Sequence, residues 1–283
     1  MVGATTIMLT ASTITPSAIS LIVSTRTPLP SAMPRPLEPT FPPGPTLTAE
    51  ESQNEIAKLM QGNPDCLFPC WWGIVPGKTS RFYTTAALTY LNLKWVVFEL
   101  PEGMEFGSPF VKDGDFIRAT VGYTVIDDIV EDIHIRGDGS SDQVFAKRWE
   151  YYSLTEMLKT YGLPTRFWAI LVEGGEVGSS RNSYHLLVFY DEAKALIRYT
   201  GSTETDVLCP DFNTGQVDWL DIYLQSPDTS RKLTDITNVS RAIEMLDQPD
   251  VYRVEKMTES RIIELYNLFT QSKEPACFRI SAN

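Results

Sequence analysis

Basic residues and histidine are scarce in this chain. Its 283 residues hold 24 Lys and Arg against 36 Asp and Glu, and His134 and His185 are its two histidines. The formal charge of -12 argues against nucleic acid, because phosphate binding needs a concentrated positive surface, and it disfavours anionic lipid as well. Long hydrophobic runs are also lacking. A membrane helix takes about 20 apolar residues, and the run Ala18-Ile19-Ser20-Leu21-Ile22-Val23 is far shorter, so no transmembrane helix is expected. A secretory signal wants Lys or Arg ahead of its apolar region. None occurs before Arg26, so an export signal reads as absent or degenerate, and no Cys before Cys66 offers a lipid-attachment point.

Catalytic signatures are missing too. There is no Gly-x-Ser-x-Gly around a nucleophile, and His134 and His185 both fall within predicted strands. Gly174, Gly175 and Gly178 read as a hairpin tip, since a phosphate-cradling loop needs a helix directly after it. Asp127, Asp128, Glu131 and Asp132 could supply paired carboxylates to a glycosidase, but a hairpin with a solvated charged face explains them more simply. Asp138-Gly139-Ser140-Ser141-Asp142 lacks the full ligand series and the closing bidentate Glu of a calcium loop. The reading therefore assigns no catalytic residue, no cofactor and no metal.

What is present centres on Cys66-Leu67-Phe68-Pro69-Cys70-Trp71-Trp72-Gly73-Ile74-Val75-Pro76-Gly77-Lys78-Thr79. Pro69 keeps Phe68 out of the helical region. A turn can bring Cys66 and Cys70 within the roughly 7 Å a disulfide needs. Trp71, Trp72 and Ile74 would then enter the core, Gly73 and Pro76-Gly77 mark turns, and Thr79 or Ser80 can cap a helix starting near Arg81. Three residues separate the cysteines, where a thioredoxin-like site wants two, and no matching Cys or His pair follows for zinc. With Cys66 and Cys70 paired, Cys209 and Cys277 remain for each other. Four cysteines nevertheless allow three connectivities. Disulfides would require an oxidising compartment.

The pattern Cys-x-x-Pro-Cys-Trp-Trp-Gly-Ile-x-Pro-Gly-x-Thr resembles one near the start of uncharacterised exported bacterial proteins and lipoproteins. The piece Gly73 to Thr79 followed by a helix, and the helix ending Tyr161-Gly162-Leu163-Pro164, are similar to parts of small outer-membrane assembly lipoproteins. Those share an α+β architecture with β-lactamase-inhibitor-like domains. The resemblance covers about a tenth of the chain and carries over no catalytic residue.

Along the chain, 1–47 reads as a disordered Ser/Thr/Pro-rich leader and stalk. Eight prolines between Pro28 and Pro45 favour an extended spacer. Residues 48–150 read as a first α+β unit. It has a Thr48/Glu51 capping box, a helix carrying Ile56, Leu59 and Met60, and a second helix with Phe82, Ala86 and Tyr90 on one face. A strand from Lys94 to Leu100 follows, then a loop with Pro101, Gly103, Gly107 and Pro109, and then alternating strands at 115–126 and 129–136. Residues 151–283 repeat the order. Ser153 and Glu156 suggest a capping box, Leu154, Met157, Leu158 and Tyr161 follow at helical spacing, and strands fall at 166–172, 184–190, 194–200 and 217–224. C-terminal helices carry Val239, Ala242, Ile243 and Leu246, and then Ile262, Leu265, Tyr266 and Phe269. Asn238-Val239-Ser240 matches a glycosylation acceptor but reads as a helix start.

The expected fold is thus α+β: two related helix-then-antiparallel-strands units with C-terminal helices. The expected role is a non-catalytic extracytoplasmic binding, scaffolding or envelope-assembly module whose partner is an envelope or extracellular protein. A carboxylate-dependent, glycosidase-like hydrolase and an inhibitor of a secreted enzyme are the alternatives.

Overall fold

Thr48 starts the first helix, α1 (Ala49–Leu59), with a reciprocal cap. Its hydroxyl accepts from the Glu51 N–H, and the Glu51 carboxylate accepts from the Thr48 N–H. In the computed structural model, residues 45–62, 65–100, 103–113, 116–138, 143–174, 181–236, 244–245, 248, 252–272 and 274–280 are described. All belong to one compact unit, Glu38–Asn283. Outside the described residues lie 1–44 of the expected leader, Gly175 and Gly178, residues 139–142 of the candidate calcium loop, and the acceptor at Asn238–Ser240 with the helix expected over Val239, Ala242, Ile243 and Leu246.

The fold is mixed α+β. Among the described residues nine strands form one sheet: β1 (Val96–Leu100), β2 (Gly103–Asp113), β3 (Phe116–Ile126), β4 (Ile129–Asp138), β5 (Arg166–Val172), β6 (Asn182–Tyr190), β7 (Ala195–Thr203), β9 (Val217–Gln225) and β10 (Arg253–Lys256). The order across the sheet is β1-β2-β3-β4-β9-β7-β6-β5-β10, and every neighbouring pair is antiparallel. The helices are α2 (Arg81–Tyr90), α3 (Gln143–Trp149), α4 (Leu154–Tyr161) and the C-terminal α5 (Glu259–Gln271). Two further strands, β8 (Val207–Leu208) and β11 (Phe278–Arg279), pair with each other alone.

Alternation along the strands divides the sheet into two faces. One face sends Val121, Tyr123, Ile133, Ile135, Ile197, Tyr199, Ile222 and Leu224 into the main core. Helix residues Ile56, Leu88, Met157, Ile262, Leu265 and Phe269 pack into that same core. The fully buried Trp149 lies over Gly137 of β4, where an added Cβ would meet its ring at 2.6 Å. A second, smaller cluster covers part of the opposite face. There Ile170, Leu187, Phe189, Leu196 and Tyr223 meet Leu233 and Val254.

The Cys66–Thr79 stretch is a buried plug for the main core. Trp71 and Ile74 exchange both backbone hydrogen bonds, each 2.9 Å, around Trp72 and Gly73. Both central residues have positive φ, 53° and 82°, which matches the two-residue hairpin turn whose twist suits antiparallel strands. For a tryptophan that backbone is unfavourable by roughly 1–2 kcal/mol. Its ring offsets this: Trp72 is buried, edge-on to Phe110 at 5.0 Å and stacked on Trp71 at 5.4 Å. At Pro76-Gly77 the chain turns again with Gly77 at φ 77°, and the Gly77 N–H donates to the Val130 carbonyl at 2.7 Å. A Cβ at Gly77 would sit 2.4 Å from Ser226 Oγ. Ser80 then caps α2 by accepting from the Tyr83 N–H.

Two details depart from the sequence reading. Helix α2 buries Tyr83, Thr84, Ala87 and Leu88, and leaves Phe82 and Ala86 exposed. Its face is rotated by one residue because the core lies on the side where Ser80 pairs with Ile129. The expected loop at 101–109 is largely strand β2. That strand tolerates Pro109 because its register shifts there, and a bulge is where a strand can hold proline. Strand β1 beyond it is a sheet edge with Val96, Val97 and Phe98 exposed.

Cys66 is bonded to Cys70 with Cα atoms 5.1 Å apart, and Cys209 to Cys277 at 4.3 Å. The second bond ties the β11 segment beside β8. Its sequence separation is 68 against 4 for the first. Loop-closure entropy then gives about 4 kcal/mol for the long loop and about 2 kcal/mol for the short one. Cys277→Ser should therefore lower the melting temperature, measured without reductant, more than Cys70→Ser does. The Cys70 change should act mainly on tryptophan fluorescence, and equal melting losses would contradict this account.

Candidate functional site

The sheet face away from the main core is apolar and covered at β5 and β6, but polar from β3 to β7. Register places Arg136 of β4 opposite Asp221 of β9, and Asp221 opposite Arg198 of β7. Two residues along, His134 lies opposite Tyr223. Asp221 is fully buried, and four donor contacts reach it. Arg136 Nε donates to Oδ1 at 2.8 Å, and His134 Nε2 lies 2.9 Å from the same oxygen. Arg198 donates through Nε at 3.0 Å and through Nη2 to Oδ2. Burial by itself raises this carboxyl. The His134 hydrogen bond and the Arg198 and Arg136 charges outweigh it and hold Asp221 well below the usual carboxylate range. Arg136 is pushed the other way, up, because Asp221 outweighs the desolvation of its guanidinium.

The surrounding side chains are aromatic. His134 stacks on Tyr223 with ring centroids 4.4 Å apart and planes 9° from parallel. The Arg136 guanidinium lies 5.6 Å from the centre of the Trp219 ring. Trp219 is 46% exposed and the Arg136 side chain 39%, so both reach solvent. Arg118 and Asp138 form an adjoining pair at 3.2 Å. Exposed Trp219 and Arg136, backed by the buried ring of Tyr223, form the composition found at the centres of protein interfaces.

His185 of β6 lies beside this cluster and shares a hydrogen bond with Thr200 Oγ1, the two atoms 3.1 Å apart. Burial and then the Arg198 charge push its imidazole down to about 4, partly offset by Asp221.

The residues singled out from sequence are distributed differently. The four cysteines are all in disulfides. Trp71, Trp72, Gly73, Pro76 and Gly77 sit on the helix-bearing side in the plug described above. Asp127 and Asp128 occupy the β3–β4 turn at positive φ, with Asp128 paired to Arg81 at 2.9 Å. Asp132 pairs with Arg231 at 2.7 Å. Burial, then repulsion from Asp132, raises the Glu131 carboxyl. Of these candidates His134, His185 and, two residues before His134 on β4, Asp132 belong to the polar face. Arg136, Arg198, Trp219 and Asp221 escaped the sequence reading. Their signal was polar residues at every second position of three separate strands, which has meaning only once β4, β9 and β7 are known to be neighbours. No family, curated protein or solved structure matches this chain.

Two outcomes follow from the electrostatics. Asp221→Asn leaves two guanidiniums without their anion and should destabilise the fold by about 3 kcal/mol or more in urea unfolding near neutral pH. The folded chain takes up a proton on His185 at lower pH than the ordinary value of 6.5. The stabilisation held by neutral His185 is therefore whole above pH 6.5 and is lost as pH falls from 6.5 towards 4, by at most about 3 kcal/mol. His185→Gln should flatten that limb when urea midpoints are compared from about pH 7.5 to about pH 4.5.

Proposed function

We propose that this protein is a non-catalytic binding module working outside the cytoplasm, with the polar sheet face over β3, β4, β9 and β7 as its contact surface and an envelope or extracellular protein as its partner. The observation that carries the reading is the half-covered face. Among the described residues, apolar packing by Leu233, Ile236, Met245, Tyr252 and Val254 reaches Tyr223 and Leu196 and goes no further across the sheet. Beyond it stands a preorganised group of Arg136, His134 and Trp219 fixed on Asp221. A rigid strand-borne cluster with an exposed aromatic suits recognition. The two disulfides support an oxidising compartment, and no described helix is long and apolar enough to cross a membrane. The Cys66–Thr79 motif, with its likeness to exported bacterial proteins, favours the same location.

The test is site-specific photo-crosslinking in the native cell, with the probe at Thr120 or Thr200 on the polar face and at Lys159 on α4 as control. The expected result is one discrete adduct from the face positions only, identified by mass spectrometry as an envelope or extracellular protein and recovered reciprocally with that protein as bait. Full-length native product in the cytosol with four free thiols, or equal labelling from Lys159, would overturn the proposal.

A further inference from the structure

We infer that Arg136, clamped between Asp221 and Trp219, takes a carboxylate side chain of the protein partner, so that an Asp or Glu on that partner anchors the contact. This rests on the polar face being the binding surface. A guanidinium offers five N–H donors in a fixed planar fork. Arg136 engages Asp221 through Nε, at 2.8 Å, and among the described residues its two terminal nitrogens make no hydrogen bond. The Nε bond and the Trp219 ring at 5.6 Å restrict how the fork can turn, so less side-chain freedom is lost when a ligand arrives. The single charge of Asp221 is already met by two guanidiniums, since Arg198 takes its other oxygen. The immediate cluster therefore carries positive charge in excess of its anion, within a chain whose formal charge is -12.

The chemistry favours carboxylate over phosphate. Two terminal N–H groups match the two oxygens of a planar carboxylate. A dianion would face Asp138 two positions along the same strand face, and Glu105, whose Oε1 lies 3.1 Å from where a Cβ on Gly122 would stand. Gly122 is directly opposite His134. The Glu105 carboxylate takes the space beside that glycine, so an incoming carboxylate meets Arg136 from its Trp219 side. Trp219 supplies an apolar wall for the methylenes of a Glu.

A blocked tri-glutamate peptide serves as the probe, titrated against the full chain carrying 5-fluorotryptophan, with the Trp219 resonance assigned by Trp219→Phe. A saturable shift of that resonance is expected. Arg136→Gln should weaken it roughly tenfold, the scale of one lost charge-assisted pair, and Arg136→Lys should restore only part. Lys159→Gln, on α4 at the helix-bearing side of the sheet, should leave the titration unchanged, and circular dichroism verifies that each variant is folded. No saturable shift, an unaffected Arg136→Gln, or inorganic phosphate outcompeting the peptide would each overturn the carboxylate assignment. Failure here with face-specific crosslinks intact, and kept in Arg136→Gln, would leave the binding face standing and remove only its acidic anchor. Loss of the crosslinks with the peptide still bound would do the reverse.

Discussion

The pairing of β4 with β9 is the constraint on which the molecule depends. Among the described residues it is the strand contact that joins the run β1-β2-β3-β4 to the run β9-β7-β6-β5-β10. Its two faces carry opposite chemistry. Towards the helices, Ile135 lies opposite Ile222 and Ile133 opposite Leu224; on the other side Arg136 lies opposite Asp221 and His134 opposite Tyr223. A slip of one residue would put charges into the core and leucines into water, because strand side chains alternate with a period of two. The ion cluster and the apolar core thus specify the same register from opposite sides. That dual specification gives a buried Asp221 a structural reason to persist, even though buried ion pairs as such contribute little net stability.

Helices α1 to α5 pack on one face, and the Trp71-Trp72 plug explains how so large a face is filled. Short elements such as α3 and α4 leave gaps between them, and the rings of Trp71, Trp72, Phe110, Trp149 and Tyr152 occupy that space within about 6 Å of one another. Aromatic side chains bury the most area per residue, so a plug of fourteen residues can replace a further helix. Its disulfide and its turns are local, which is why the sequence announces it so clearly.

Legibility follows the range of the interactions. Local signals were read well: the Thr48 cap, the cap at Thr79 or Ser80 that falls to Ser80, the stop at Gly162, and the alternation in β3 and β4 all depend on residues a few positions apart. Strand β2 was not legible, because Gly107 and Pro109 weigh against a strand until β1 and β3 flank it and a bulge absorbs the proline. The face of α2 was misjudged since Phe82 and Tyr83 offer equally apolar stripes, and only the position of β4 chooses between them. The site was the least legible part. Arg136, Arg198 and Asp221 lie 85 and 23 residues apart in sequence as hydrogen-bonded pairs, and nothing near any of them marks it as special.

The bond between Cys209 and Cys277 also governs what happens if the chain is cut. It encloses β9, β10 and α5 within a covalent circuit. A single peptide-bond break anywhere inside that circuit leaves both fragments linked, so cleavage would be invisible on a gel run without reductant and would appear as two bands once thiol is added. A nicked molecule keeps β9 tethered to the sheet it bridges. In a protease-rich surrounding, such a chain can age by accumulating cuts while still presenting Trp219 and Asp221 in their places.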